Sequence, residues 1–316
     1  MINFLLVGNS SLFNRRIAPA LVKFKNQIEC YMVTRNPKNF NSSLIGSNRV
    51  FESIESVLNC NKIDIAYISL PNHLHFETAK ILLDANINLI IDKPAILNRR
   101  EFERLLNIAK KKDLFISESL VYHYHPAWKS FKSVVKECGP SLLEAQFTIP
   151  KLPSTNFRNN KKMGGGVIND MGLYMIDICT RFFDSMPIRI HSNIKKDINF
   201  LDPIFISAEF KNNNFFNGIF GFNLPYKNYV KYISNDTINS LERVFSPPAD
   251  YEIIIKKHTN GLDSTTNVSS ADVFELYFYY IFDLYRNKKF DKILLEFEQQ
   301  SNNFLNLKEC VLNEKF

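Results

Sequence analysis

The 316-residue chain is 45% hydrophobic and 13% aromatic, enough apolar material for two ordinary domains with substantial cores. Its formal charge of +7 permits an acidic partner, but the basic residues are dispersed and form no Lys/Arg tract, which argues against nucleic acid. Cys30, Cys60, Cys138, Cys179 and Cys310 are scattered without a C-x-x-C pair, and no apolar stretch approaches the ~18 residues of a membrane span, so a cytoplasmic protein with reduced thiols and no membrane contact is expected.

The first apolar run, 3–7, leads into Gly8, Asn9, Ser10, Ser11, Leu12 and Phe13. Against the dinucleotide fingerprint G-x-G-x-x-G only the first glycine is present, with Ser10 and Phe13 at the other two positions. Gly8 allows a tight turn; the segment reads either as a phosphate-binding turn or as a plain turn after a buried strand. Further strand candidates lie at 29–34, 65–69, 88–91 and 114–117, alternating with helical patterns at 16–24, 53–58, 73–85 and 98–111. The alternation predicts an α/β domain over 1–120, a doubly wound parallel sheet whose ligands bind at the carboxyl ends of its strands.

Those strand ends carry chemistry. The second is followed by Thr34 and Arg35, where a hydroxyl and a guanidinium suit the 2′-phosphate of NADP better than the bare ribose of NAD. The third is followed by Leu70, Pro71, Asn72, His73, Leu74 and His75, and the fourth by Asp92, Lys93 and Pro94. An ammonium at the end of a buried strand needs a carboxylate or a ligand beside it, so Lys93 is a candidate site residue. The pairs His73/His75 and His123/His125 lack a third ligand of suitable spacing, and no metal is expected.

Beyond 120 the pattern changes to an α+β domain over 121–316 with a mostly antiparallel sheet. Its strand candidates are 143–149, 189–193, 204–211, 217–223, 229–234, 237–244 and 251–257, and helices at 271–286 and 290–312 close the chain. A basic loop, 151–163, contains Arg158, Lys161 and Lys162 and faces either a phosphate or solvent. Four of the ten glycines then fall between 164 and 172. On a helical wheel Ile168, Met171, Met175, Ile178 and Phe182 share an apolar face, and Asp170, Tyr174, Asp177 and Arg181 lie opposite. This is either a solvated helix face behind a flexible loop or a proton-transfer station built on Tyr174.

In order, the Gly8 turn, Thr34-Arg35, the Leu-Pro-Asn-His-Leu-His run, Asp-Lys-Pro, the run from Glu118 to Pro126 and the glycine run with Asp170 and Tyr174 resemble the glucose–fructose oxidoreductase, inositol dehydrogenase and rhizopine-catabolism (Gfo/Idh/MocA) family. Motifs carry the resemblance through about residue 183, and layout carries it beyond. The segment from Glu242 to Asp250 is similar to one in members that reduce keto groups on nucleotide-linked sugars. The resemblance implies a Rossmann-type first domain that binds NAD(P), with Thr34 and Arg35 favouring NADP(H) over NAD(H), and an open second-domain sheet joining a homodimer or homotetramer. It also implies catalysis by Lys93, Tyr174 and Asp170, with cofactor contacts from Gly8, Asn9, Ser10, Thr34, Arg35, Leu70, Pro71, Asn72, His75, Asp92, Lys93, Arg158 and Asp170. Substrate contacts fall on Lys93, His123 and Tyr174. This chain departs from the pattern at Ser10 and Phe13, at Asp92 in place of glutamate, and at His123, where many relatives have arginine.

The implied reaction passes hydride between a nicotinamide and a sugar keto carbon, Lys93 stabilising charge on the oxygen and Tyr174 moving the proton, with the proton donor open between the two. A nucleotide-linked sugar of polysaccharide or deoxysugar biosynthesis is the leading substrate. A catabolic dehydrogenase of a free sugar or cyclic polyol, and a non-catalytic dinucleotide-binding sensor or subunit, are the alternatives.

Overall fold

The computed structural model describes residues 1–40, 42–133, 140–193 and 200–313; Cys138 lies outside them. The first part of the chain runs β1 (Ile2–Val7), α1 (Ala18–Val22), β2 (Ile28–Val33), β3 (Val50–Phe51), α2 (Ile54–Cys60), β4 (Ile65–Ile68), α3 (His75–Asp84), β5 (Asn88–Ile91), α4 (Arg99–Lys112) and β6 (Ile116–Glu118). It continues with α5 (Pro126–Ser133), β7 (Ser141–Thr148), α6 (Leu173–Phe183), β8 (Arg189–Ser192), β9 (Ile204–Phe210), β10 (Asn214–Gly221), β11 (Lys227–Ser234), β12 (Thr237–Glu242), β13 (Ile253–Thr259) and β14 (Leu262–Val268). Helices α7 (Val273–Arg286) and α8 (Phe290–Asn313) follow. No described helix is long and apolar enough to cross a membrane.

The chain divides into two compact units. One comprises Met1–Ser119 with Phe274–Ser301, the other Leu120–Val273 with Asn302–Phe316. The first unit holds a six-stranded, all-parallel sheet of order β3-β2-β1-β4-β5-β6. Strands β4 and β5 are buried at every residue, as strands covered on both faces must be. The chain leaves β1 to one side for β2 and later returns to its other side for β4, so the ends of β1 and β4 flank the crevice where such sheets bind ligands.

The change of pattern at 120 predicts one second domain running to 316, but Phe274–Ser301 belong to the first unit. The reason is aromatic packing. Phe278 and Phe282 of α7 meet Phe4 of β1 edge-on at 6.1 and 5.6 Å between ring centres, and Phe282 meets Phe24 at 5.2 Å. Each fully buried phenylalanine contributes about 1.5–3 kcal/mol by transfer from water, so this stripe holds α7 to the first sheet regardless of sequence distance. Tyr277 adds a buried hydrogen bond of 2.7 Å to Ser117 on β6.

The second unit is built on an eight-stranded sheet of order β14-β13-β12-β11-β7-β10-β9-β8, antiparallel except for the β7–β10 pair. Helix α5 packs on β12 and β13, and α6 on β10. The opposite face carries exposed Phe205, Phe215 and Ile254. Strand β14 and helix α5 are absent from the sequence-based expectation. The signal for β14 is Asn260-Gly261, both at positive φ, a dipeptide suited to the tight turn of a two-stranded hairpin.

Candidate functional site

In the first unit the site is built from strand ends. Gly8, just past β1, has φ +105°, and a Cβ there would lie 2.3 Å from the Ser69 carbonyl oxygen. Only glycine fits this close approach between the β1 and β4 ends. Ser10 follows, its Oγ accepting from the Phe13 amide at 2.9 Å and lying 2.7 Å from Ser69 Oγ. Phe13, at the position where a close-packing glycine is usual, is fully buried and packs toward Phe40. It is accommodated by a wide π-helical turn over Phe13–Ile17 ahead of α1. Asn9 caps this region by accepting from Asn14 Nδ2 at 2.8 Å. At the end of β2, Thr34 is buried and Arg35 exposed.

Residues 92–95 form a turn tied down on every side. Asp92 Oδ1 accepts from Tyr67, with Ser119 Oγ 3.2 Å away, and Oδ2 accepts from Ser69 at 2.6 Å. Burial and the Asp92 charge push the Tyr67 phenol well above its usual range, so it stays a donor. Past the cis Lys93–Pro94 bond, the Ala95 amide donates to Glu118 Oε1 at 2.6 Å, and Gln300 donates to the other oxygen. The His75 ring, almost fully buried, has Nδ1 2.9 Å from the Pro94 carbonyl and Nε2 2.8 Å from the Leu70 carbonyl. Both partners are carbonyl oxygens and burial lowers the His75 pKa, so the neutral ring donates its one N–H to one of them and lies between the turn carrying Leu70, Pro71 and Asn72 and the turn carrying Lys93.

In the second unit three glycines make a knot. Gly164 and Gly166 have φ +77° and +107°, and a Cβ on Gly165 would lie 2.3 Å from the Arg158 carbonyl oxygen. The Gly165 and Gly166 amides donate to the carbonyls of Asn160 and Arg158. The basic loop is thereby laid against the helix start, and Arg158 Nε meets Asp170 Oδ1 at 3.0 Å, with Asp170 only 5% exposed. Lys161 and Lys162 of the same loop are exposed.

Of the two readings of the 168–183 segment, the solvated helix face does not hold: Asp170 and Asp177 are both buried. Residues Ile168–Gly172 form a π-helical turn, and in the regular helix α6 that follows Ile176, Asp177 and Thr180 are buried along with Met175, Ile178 and Phe182, so the helix is covered on its polar side too. Asp177 receives Arg181 through two bonds, 2.9 and 3.0 Å, and Tyr122 Oη at 2.6 Å. Burial alone would raise the Asp177 carboxyl, but the Arg181 charge and hydrogen bonds outweigh it and hold the group below the usual range. Asp177 thus serves Tyr122 and Arg181.

Tyr174 lies among rings, 5.2 Å from Phe147, 5.6 Å from Phe245 and 6.1 Å from Tyr122 between centres. Phe245 belongs to the 242–250 segment singled out in sequence, and it stacks on Phe147 at 5.2 Å. Two residues earlier, Arg243 at φ +60° lies over the rings of Tyr226 and Tyr251. His123 packs on Tyr124 at 4.3 Å and its Nδ1 is buried without a hydrogen-bond partner. Burial, reinforced by Arg181, pushes its pKa down to about 3, so this ring is neutral at pH 7. Among the described residues no cluster of His, Cys, Asp and Glu has the arrangement of a metal site.

A glycine turn at the β1/β4 crevice and a lysine on a tied-down turn at the end of β5 give the first unit the form of a dinucleotide-binding domain. Residues 2–119 match the oxidoreductase family with an NAD-binding Rossmann fold, and residues 140–235 match the GFO/IDH/MocA C-terminal domain. The chain belongs to the Gfo/Idh/MocA family and is an oxidoreductase. It is 22% identical to a dTDP-3,4-didehydro-2,6-dideoxy-alpha-D-glucose 3-reductase from Saccharopolyspora spinosa over 84% of this chain and 82% of that protein. It is 24% identical to an uncharacterised oxidoreductase from Rhizobium meliloti, the match spanning 65% of this chain and 61% of that protein. In structure it is similar to a 3-ketoreductase from Actinomadura kijaniata, crystallised with NADP and TDP-benzene, with TM-score 0.86 and 21% identity over 98% of this chain and 96% of that one.

Proposed function

We propose that this chain is a cytoplasmic NADP(H)-dependent reductase of a keto group on a nucleotide-linked sugar. The observation that carries the reading is the turn around Lys93. The residue before it and the two after it are each bonded to a fixed partner, so the lysine is presented on rigid backbone at the carboxyl end of a buried parallel strand. Positioning of this kind is what electrostatic catalysis requires. The similarity to dTDP-sugar 3-reductases supports the substrate class.

The Gly8 turn fits a dinucleotide, since its backbone comes closer to Ser69 than any Cβ would allow. Bound there, the cofactor supplies the hydride. Thr34 and the exposed Arg35 suit a 2′-phosphate and favour NADP over NAD. Lys93 stabilises the negative charge that grows on the ketone oxygen. Tyr174, its ring held by Phe147, Phe245 and Tyr122, delivers the proton. Asp170, charge-balanced by Arg158, orients groups at the start of the same helix, and neutral His123 contributes to sugar binding.

The test is to mix the protein with NADPH or NADH and a panel of keto-sugars, free and nucleotide-linked. Loss of NADPH absorbance that depends on the nucleotide-linked ketone supports the reading, and turnover of free sugars alone contradicts it.

We further propose that two copies associate through the exposed face of the eight-stranded sheet. That face has a shallow depression of about 500 Å³ lined by Glu144, Phe205, Ser207, Ile219 and Tyr229, and Phe205 and Phe215 are 46% and 43% exposed. Phe205 stands opposite Ile219 across β9 and β10, so apolar side chains adjoin on this open face, as at an interface.

A further inference from the structure

The protons around Asp92 can be assigned from the chemistry of the partners, because a hydroxyl has one proton to give and a carboxylate has none. Ser69 Oγ, 2.6 Å from Asp92 Oδ2, gives its proton to the carboxylate. Its 2.7 Å contact with Ser10 Oγ is therefore an acceptance, and Ser10 gives its proton to Ser69. Ser10 Oγ in turn accepts from the Phe13 amide at 2.9 Å. The other carboxylate oxygen accepts from Tyr67, while Ser119 Oγ lies 2.9 Å from Tyr67 Oη and 3.2 Å from Asp92 Oδ1. A single directed chain thus runs Phe13 amide, Ser10, Ser69, Asp92. It begins in the turn after β1 and ends at the residue before Lys93.

Two consequences follow. Ser10 has no proton left to donate to a phosphate, although it sits at the turn where one would lie. And the two departures from the family pattern, Ser10 for a glycine and Asp92 for a glutamate, are joined by this chain through Ser69. We propose that Ser10 and Ser69 are positioning residues that fix the Asp92 carboxylate, and through the adjacent backbone the position of Lys93. This rests on the reading of Lys93 as a reaction group. It makes Ser10→Gly, which restores a glycine of the fingerprint, a harmful change.

The test has two arms. In the first, without cofactor or substrate, urea unfolding is measured for Ser10→Ala, Asp92→Asn and the double variant, each with Ser69 present and with Ser69→Ala. The chain predicts that the effects of the Ser10 and Asp92 changes on the unfolding constant depart from multiplicativity by about fivefold, and that the departure vanishes once Ser69 is alanine. If Asp92→Asn does not fold, the cycle is run on Ser10→Ala and Ser69→Ala with Asp92 unchanged, where multiplicative effects likewise overturn the proposal. Multiplicative effects with Ser69 present overturn the proposal.

In the second arm kcat and the NADPH dissociation constant are measured separately. Ser69→Ala and Ser10→Gly should each lower kcat about tenfold with NADPH affinity changed less than about twofold, and Asp92→Glu should restore turnover to Ser10→Gly. Tighter NADPH binding with undiminished kcat in Ser10→Gly overturns the proposal. If the unaltered protein turns over no keto-sugar, the substrate reading fails, and the unfolding cycle alone still decides the chain.

Discussion

At the scale of single residues, the second-unit helix shows where polar side chains do their work. Asp177 is 6% exposed in its side chain and holds Arg181, which is 33% exposed, together with Tyr122. Removing the charge in Asp177→Asn leaves the Arg181 guanidinium partly uncompensated. Breaking a fully buried pair costs about 3–5 kcal/mol, and with one partner a third exposed to screening solvent about 1–3 kcal/mol is expected. Urea unfolding measures this, and because the Tyr122 ring packs on Tyr174, kcat should fall as well. Unchanged stability would show that the pair contributes nothing. The places of Asp170 and Tyr174 after a glycine run and of Lys93 past a buried strand were legible in the sequence, because glycine runs and strand ends announce them. The roles of Asp177 and Tyr122 were not, since α6 is covered on the polar side of its wheel as well and the Tyr122–Asp177 bond joins residues far apart in the chain, which local pattern does not reveal.

At the scale of elements, the glycine knot is the joint that sets Arg158 beside Asp170. Gly165→Ala places a methyl 2.3 Å from a backbone oxygen, which no rotamer relieves. The loop must move away, so the variant should lose about 1–3 kcal/mol of stability and turn over more slowly, both read on one preparation. Retention of full activity would mean that the Arg158–Asp170 pair is dispensable. The alternating strands and helices of the first unit were readable because buried parallel strands are short apolar runs between helical patterns. Two features escaped. The Asn260-Gly261 turn announces β14, yet that strand is exposed at nearly every residue and carries no apolar alternation. The attachment of α7 to the first unit is a long-range packing of Phe278 and Phe282 on Phe4, which local pattern does not reveal.

At the scale of the whole molecule, pH and association are the accessible probes. Burial lowers the pKa of His75, His123 and His125 below the ordinary value of 6.5, His123 to about 3. Groups with a depressed histidine pKa bind more protons when unfolded, so stability is greatest above pH 6.5 and falls as the pH drops below it. For His123 the loss runs from about pH 6.5 to about pH 3, up to about 1.4 kcal/mol per pH unit. Denaturation midpoints between pH 8 and pH 4 would show this decline, and His123→Gln should flatten it; a midpoint independent of pH contradicts the assignment. For association, light scattering should find a dimer or tetramer, and Phe205→Glu should shift it toward monomer without unfolding. A monomer at all concentrations would remove the sheet face from the account.

The central claim is that Lys93 and Tyr174 carry a NADPH-dependent reduction of a nucleotide-linked keto-sugar. It is tested most directly by steady-state oxidation of NADPH with such a substrate by the unaltered protein, Lys93→Ala and Tyr174→Phe. The account predicts turnover by the unaltered protein and a fall in kcat of about a hundredfold or more in Lys93→Ala, with a fall of about a hundredfold in Tyr174→Phe. NADPH affinity should change little in Tyr174→Phe. Near-normal turnover in both variants would contradict it.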